Sequence, residues 1–246
     1  MNTVAQSFRD HLCAELGGQQ DREPMLARFI AELNAIDCTQ AQSLPPLPKP
    51  PTVTAHLEST LAAMACGPDL ASATRSLASA ARWYQLFEGE GIEPVLAQGL
   101  VAGQLAGQVG LVGSDTIRAG LFLLAPHLHY PLHQHGALEL YYVVSGQLTL
   151  QYGTTTEPFQ VSAGEASVTP SNKVHSLTTR EAPCLVVYAW VGEVESPNWW
   201  WVPCEKGGWD RVCWERQADA KWIQTHSEPV TRAILEEAGE ASPDTH

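Results

Sequence analysis

The chain has 246 residues and a formal net charge of −13, with 27 acidic side chains against 14 Lys and Arg. That balance argues against a nucleic-acid surface, which needs clustered basic residues, and no run approaches the ~20 apolar residues of a membrane helix. The length suits one large domain or two small ones, and the opening MNTVAQSFRDHLCAEL lacks the basic start and apolar stretch of a signal peptide, so a cytoplasmic protein is expected.

The first hundred residues read as helical. Val4, Phe8, Leu12 and Leu16 recur every four residues, and Met25, Phe29, Leu33 and Ile36 in the next segment every three or four, and such spacing builds one apolar helix face. SLPPLPKPPTV then breaks the pattern, because proline lacks the N–H a helix or ladder needs. Helical texture resumes in AHLESTLAAMA and SATRSLASAARWYQLF, and Gly89 and Gly91 close it. Near residue 106 short runs rich in Val, Leu, Thr and Tyr take over: QVGLVG, IRAGLFLLA, ELYYVVSGQLTLQYG, EASVTP, KVHSLTT and CLVVYAWVG. Regular short strands with Gly, Pro and Asn between them imply a sandwich or barrel. The expected division is a helical region over 1–105, a β-barrel over 106–195, and a Trp-rich extension over 196–246. That extension opens SPNWWWVP, holds a helix in VTRAILEEAG and ends in SPDTH, which is expected to fray. The six cysteines are scattered without a C-x-x-C pair, so reduced thiols are expected.

The chemistry concentrates in YPLHQHGALELYYVVSG. Residues two apart on a strand share a face, so His133 and His135 can bind one ion, and Glu139 and Tyr141 share that parity if the turn at Gly136 preserves it. His175 follows in GEASVTPSNKVH, a turn and strand able to return to the same place. Three imidazoles and a carboxylate suit a first-row divalent ion with positions left open for substrate.

These two segments resemble the paired motifs of the cupin superfamily. The resemblance implies a mainly β fold, a double-stranded β-helix or jelly-roll barrel behind an α-helical amino-terminal region. It carries over His133, His135, Glu139 and His175 as metal ligands. His127 stands where the first motif often has Gly, and Asn172 stands where the second usually does; Asn tolerates left-handed backbone geometry. The frame Y-P-x-H-x-H-x-x-x-E-x-Y is similar to that of the cupin-type dimethylsulfoniopropionate (DMSP) lyases. That resemblance implies β-elimination of DMSP to dimethyl sulfide and acrylate, a carbon–sulfur lyase reaction, with Tyr141 and Tyr130 serving the active site. Tyr130 has the opposite parity to His133 and reaches the site only if Pro131 bends the strand.

One divalent transition metal per chain is expected, and Zn2+, Fe2+, Mn2+, Ni2+ and Co2+ all suit the donors. The small substrate's sulfonium is a soft cation suited to aromatic faces, for which Trp190, Tyr188 and Trp199 are the candidates. His127 and His129 read as rim residues. A homodimer is compatible with the acidic helices and the Trp run. Another metal-dependent cupin enzyme, a dioxygenase or isomerase, and a non-catalytic small-molecule binder are the competing readings.

Overall fold

The structure, a computed structural model, describes residues 2–205, 207–217 and 221–240; the expectation for the terminal SPDTH lies outside them. Four helices come first: α1 (Thr3–Gly17), α2 (Leu26–Asn34), α3 (Pro51–Ala62) and α4 (Pro68–Ala80). Strand β1 (Trp83–Gln85), helix α5 (Pro94–Gly99), β2 (Leu100–Ala106) and β3 (Ile117–Leu124) follow. Then come β4 (His129–Gln134), β5 (Ala137–Ser145), β6 (Gln147–Tyr152), β7 (Phe159–Ser162), β8 (Ala166–Thr169), β9 (His175–Thr178) and β10 (Cys184–Gly192). The described chain closes with β11 (Asn198–Pro203), β12 (Trp209–Arg216), β13 (Trp222–Pro229) and α6 (Arg232–Glu237).

The strands form two antiparallel sheets, ordered β1-β2-β3-β10-β5-β8 and β13-β12-β11-β4-β9-β6-β7. They face one another as a jelly roll, mainly β with helices at the amino-terminal end, and do not close into one continuous barrel. Period-two alternation in the first sheet explains the layering. Leu140, Tyr142 and Val144 of β5 join Leu185, Val187 and Ala189 of β10 in a core shared with the helices. Tyr141 and Val143 turn the other way, with Val186 and Tyr188, into the core between the sheets. Because both faces are covered, these strands read as unbroken apolar runs. In α1, Phe8, Leu12 and Leu16 are wholly buried. At ~2 kcal/mol for each such side chain, packing outweighs the marginal stability of an isolated short helix. Tyr142 anchors the same layer by donating its hydroxyl to Glu15 at 2.8 Å.

Several elements differ from the sequence expectation. Helix α3 begins inside the proline stretch, at Pro51, because the first helical position needs no N–H. The change to strands comes earlier than 106: Trp83–Gln85 pairs with β2 across Trp83↔Gly103 instead of extending α4. Gln108–Gly113 makes turns and isolated bridges, not a strand. Beyond 196 the chain forms three strands, and β11 joins the second sheet by pairing Trp200 with His133. Among the described residues no helix is long and apolar enough to cross a membrane. The six cysteines stand apart, unpaired.

Candidate metal centre

The site forms where the two sheets meet. Gly146 joins β5 of one sheet to β6 of the other in a left-handed turn (φ 81°), and a second crossing runs through His135 and Gly136, between β4 and β5. His133 on β4 lies directly opposite His175 on β9, while Glu139 comes from β5 in the facing sheet. Ring nitrogens of His133, His135 and His175 can all lie within 4.8 Å of one another, and all three residues are buried. Glu139 Oε2 lies 3.0 Å from His135 Nε2 and 3.2 Å from His175 Nε2.

The opposite ring nitrogens fix the tautomers. Nδ1 of His133 faces the Pro131 carbonyl at 2.8 Å, that of His135 the Ala137 carbonyl at 3.1 Å, and that of His175 the Lys173 carbonyl at 2.8 Å. A carbonyl only accepts, so each Nδ1 carries a proton, and a neutral ring keeps its lone pair on Nε2. At His135 and His175 that lone pair meets a carboxylate oxygen, which is repulsive unless positive charge lies between them. The donor set therefore fits a metal ion, and backbone carbonyls orient the rings as they do around bound metals. Burial alone would raise the Glu139 pKa, but positive charge on the side of His135 and His175, which the same contacts demand, outweighs it and holds the group well below the usual carboxylate range. Burial, then the neighbouring His175 and His135, push His133 well below its ordinary value, toward the neutral form a metal requires.

The other Glu139 oxygen accepts a 2.5 Å hydrogen bond from Trp190 Nε1, and the Trp190 ring packs on His135 with centroids 4.5 Å apart. Trp190 thus touches the carboxylate and an imidazole, where the sequence offered it only as a face for the sulfonium. Trp190→Phe keeps the ring and removes the donor. Metal affinity should then fall ~10- to 100-fold, the scale of lost support behind a ligand, as read by chelator competition. Unchanged affinity would show that Glu139 needs no such support.

Both tyrosines reach this region. Tyr141 is buried; burial first, then the Glu139 charge, push its pKa well above the ordinary value. Tyr130 arrives through an irregularity at Pro131, where two residues of β4, Pro131 and Leu132, lie between the paired positions against one, Ser176, in β9. The extra residue reverses parity. The Tyr130 ring stacks on His133 at 3.6 Å and 17°, and its hydroxyl accepts from Asn198 Nδ2 at 2.6 Å. Burial pushes its pKa well up as well.

Tyr188 lies beside Tyr141 in register, stacked flat on Phe122 at 3.6 Å between the sheets. Trp199 faces elsewhere, a correction to its expected place at the substrate. The Arg211 guanidinium sits 4.2 Å above its ring, and His226 packs edge-on at 5.0 Å. On β11 the inward parity belongs to Asn198 and Trp200. Asn198 escaped the sequence reading because nothing marks one amide beside three tryptophans. His127 and His129 are exposed and stand outside the histidine cluster. His127 does adopt the left-handed geometry (φ 57°) usual for glycine, as does Asn172 (φ 61°).

A family model described as dimethylsulfoniopropionate lyase matches residues 19–186. Dimethylsulfoniopropionate lyase DddQ of Ruegeria pomeroyi is 26% identical over 187 residues, which is 76% of this chain and 90% of the relative. The crystal structure of DMSP lyase DddQ from Ruegeria pomeroyi DSS-3 is similar with a TM-score of 0.60 at 23% identity, over 78% of this chain and 94% of that one. A structure from the study of the DMSP lyases RdDddP and RnDddQII gives 0.56 at 20% identity, over 77% and 94%. At these identities the structural likeness bears on the fold.

Proposed function

The chain belongs to the dimethylsulfoniopropionate lyase family, and from that premise we propose that it is a metal-dependent carbon–sulfur lyase. It eliminates dimethyl sulfide from DMSP and leaves acrylate. The observation that carries this reading is the buried cluster of His133, His135 and His175, with the Glu139 carboxylate against two of its rings and the Tyr141 phenol buried within reach of the Glu139 charge.

His133, His135, His175 and Glu139 hold one divalent transition ion of the Zn2+, Fe2+, Mn2+, Ni2+ or Co2+ type. When bound, the ion supplies a Lewis acid for the substrate carboxylate and offsets the Glu139 charge that keeps the phenol protonated. Tyr141, as phenolate, takes the proton from the carbon next to the carboxylate. The C–H electron pair becomes the C=C bond of acrylate, and the C–S bond breaks with its own electron pair leaving on sulfur, as neutral dimethyl sulfide. The proton on Tyr141 then passes to solvent. Tyr130, bonded to Asn198 and stacked on His133, positions that imidazole and walls the site. Trp190 presents an aromatic face toward the onium end, while Tyr188, stacked on Phe122, lines the cavity beyond it.

Protein loaded with one metal equivalent and given DMSP should release dimethyl sulfide into the headspace and form acrylate in equal amount. A chelator should stop both. Silence from the loaded protein, or release indifferent to the chelator, would sink the reading.

A further inference from the structure

Next to the metal centre, beyond Trp190, lies a cavity of about 260 Å³ that none of the three histidines lines. Glu139, Trp190 and Arg118 are direct cross-strand neighbours in one row of the first sheet. The Arg118 backbone is therefore two strands, about 10 Å, from Glu139. Strands β12 and β13 make the opposite wall, through Trp214, Arg216 and Trp222, outside the residues 19–186 that match the family. Trp222 holds this wall in place: its backbone N–H donates to the Glu88 carbonyl at 2.7 Å and its indole N–H to the Leu86 carbonyl at 2.9 Å. Gly89 permits the approach, since a Cβ there would collide with the Trp222 carbonyl.

The cavity is rich in donors and poor in acceptors. The Tyr84 and Tyr188 hydroxyls and the Trp214 indole N–H are buried and complete no hydrogen bond. The indole can only donate, and both phenols can do so; three unpaired buried groups in one place call for a partner. The nearby acceptors are partly engaged. Glu195, with its side chain 64% exposed, pairs with Arg118 and takes Gln108 Nε2 at 3.2 Å. Gln104 Oε1 takes the Val109 N–H at 3.3 Å, and Glu215 takes the Thr225 hydroxyl at 3.4 Å. Two guanidiniums share the lining. Burial disfavours the Arg118 cation most, nearby Tyr188 and Asp115 partly offset this, and the Arg216 charge opposes it again. Phe87 and Trp222 add apolar walls.

We propose that this cavity is a second binding site, distinct from the metal centre, for a short carboxylate with a small apolar body. The carboxylate oxygens accept from Tyr84, Tyr188 and Trp214 in the field of Arg118 and Arg216, and the carbon chain lies against Phe87 and Trp222. Acrylate has this chemistry, and so does propionate, which cannot react. The site does not depend on the lyase reading.

The test uses the full chain carrying His135→Ala, which disables the metal centre as a carboxylate site, titrated calorimetrically with sodium propionate at constant ionic strength. One saturable site per chain is expected, with propionamide, the neutral analogue, failing to bind. Trp214→Phe and Tyr84→Phe, each added to that background, keep an aromatic ring and remove one donor. Each should weaken propionate ~10-fold or more, the scale of a lost hydrogen bond to a charged group. If one of them fails to fold, the other decides alone. Three results would overturn the site: no saturable binding, binding seen only with an intact His135, or affinity unchanged in every folded donor variant. In the last case water satisfies the donors. None of them bears on dimethyl sulfide release.

Discussion

His135→Ala should take the metal content from about one ion per chain to a small fraction and remove elimination with it. The variant loses one of the three clustered imidazoles, the one whose Nε2 lies 3.0 Å from Glu139 Oε2. What remains is the buried Glu139 carboxylate with Trp190 behind it, His175 at 3.2 Å and His133, three donors in place of the four expected. Elemental analysis of the purified variant reads the loss directly. Full occupancy in a protein lacking both His133 and His135 would place the ion elsewhere. The ion-free protein should also be sensitive to acid. Glu139 is held below the ordinary carboxylate range in the fold, so its contribution to stability is present above the unfolded value of ~4.3 and is lost as pH falls toward the folded one. His135→Ala should flatten that dependence.

The metal residues were legible because H-x-H-x-x-x-E and a later histidine are sparse, polar and out of place in apolar strands. The reason they come together was less legible. Strand parity puts His133, His135 and Glu139 on one face, yet β4 ends at Gln134 and the chain crosses between sheets before Glu139. Turn geometry makes the meeting, and no periodicity encodes that. Tyr130 shows the same limit from the other side: its alternation points away from His133, and one extra residue at Pro131 reverses it. The Trp run misled because aromaticity reveals burial but not direction. Trp200 packs inward with Tyr130 and Phe87, while Trp199 beside it carries Arg211 on the outer face. Strands β12 and β13 were missed because charges interrupt them: WDRVCWER and WIQTHSEP lack clean alternation. Strand β10 pairs instead with strands on both sides, where packing demands apolar side chains throughout.

Tyr141→Phe should lower kcat by ~10²-fold or more, the scale of losing a general base, while the protein keeps its metal. The substitution removes a single oxygen from a buried ring whose packing between the sheets does not depend on it. Burial together with the Glu139 charge holds the proton on that oxygen. An unassisted phenol so placed would be a poor base at neutral pH, so the proposal requires compensating charge at the histidine cluster. Activity should therefore rise with pH along a limb that belongs to the metal-loaded form, and Tyr141→Phe should remove that limb from whatever rate survives. KM should change far less than kcat, because holding the substrate carboxylate does not involve the proton transfer. Tyr142→Phe is the control one residue away. Its hydroxyl points out of the sheet to Glu15 on α1, so that variant should lose about 1 kcal/mol of stability, the usual value of one hydrogen bond, and almost no rate. A metal-loaded Tyr141→Phe protein that releases dimethyl sulfide at near the wild-type rate would eliminate this base. Tyr130, whose oxygen accepts from Asn198 Nδ2 at 2.6 Å, would then become the candidate.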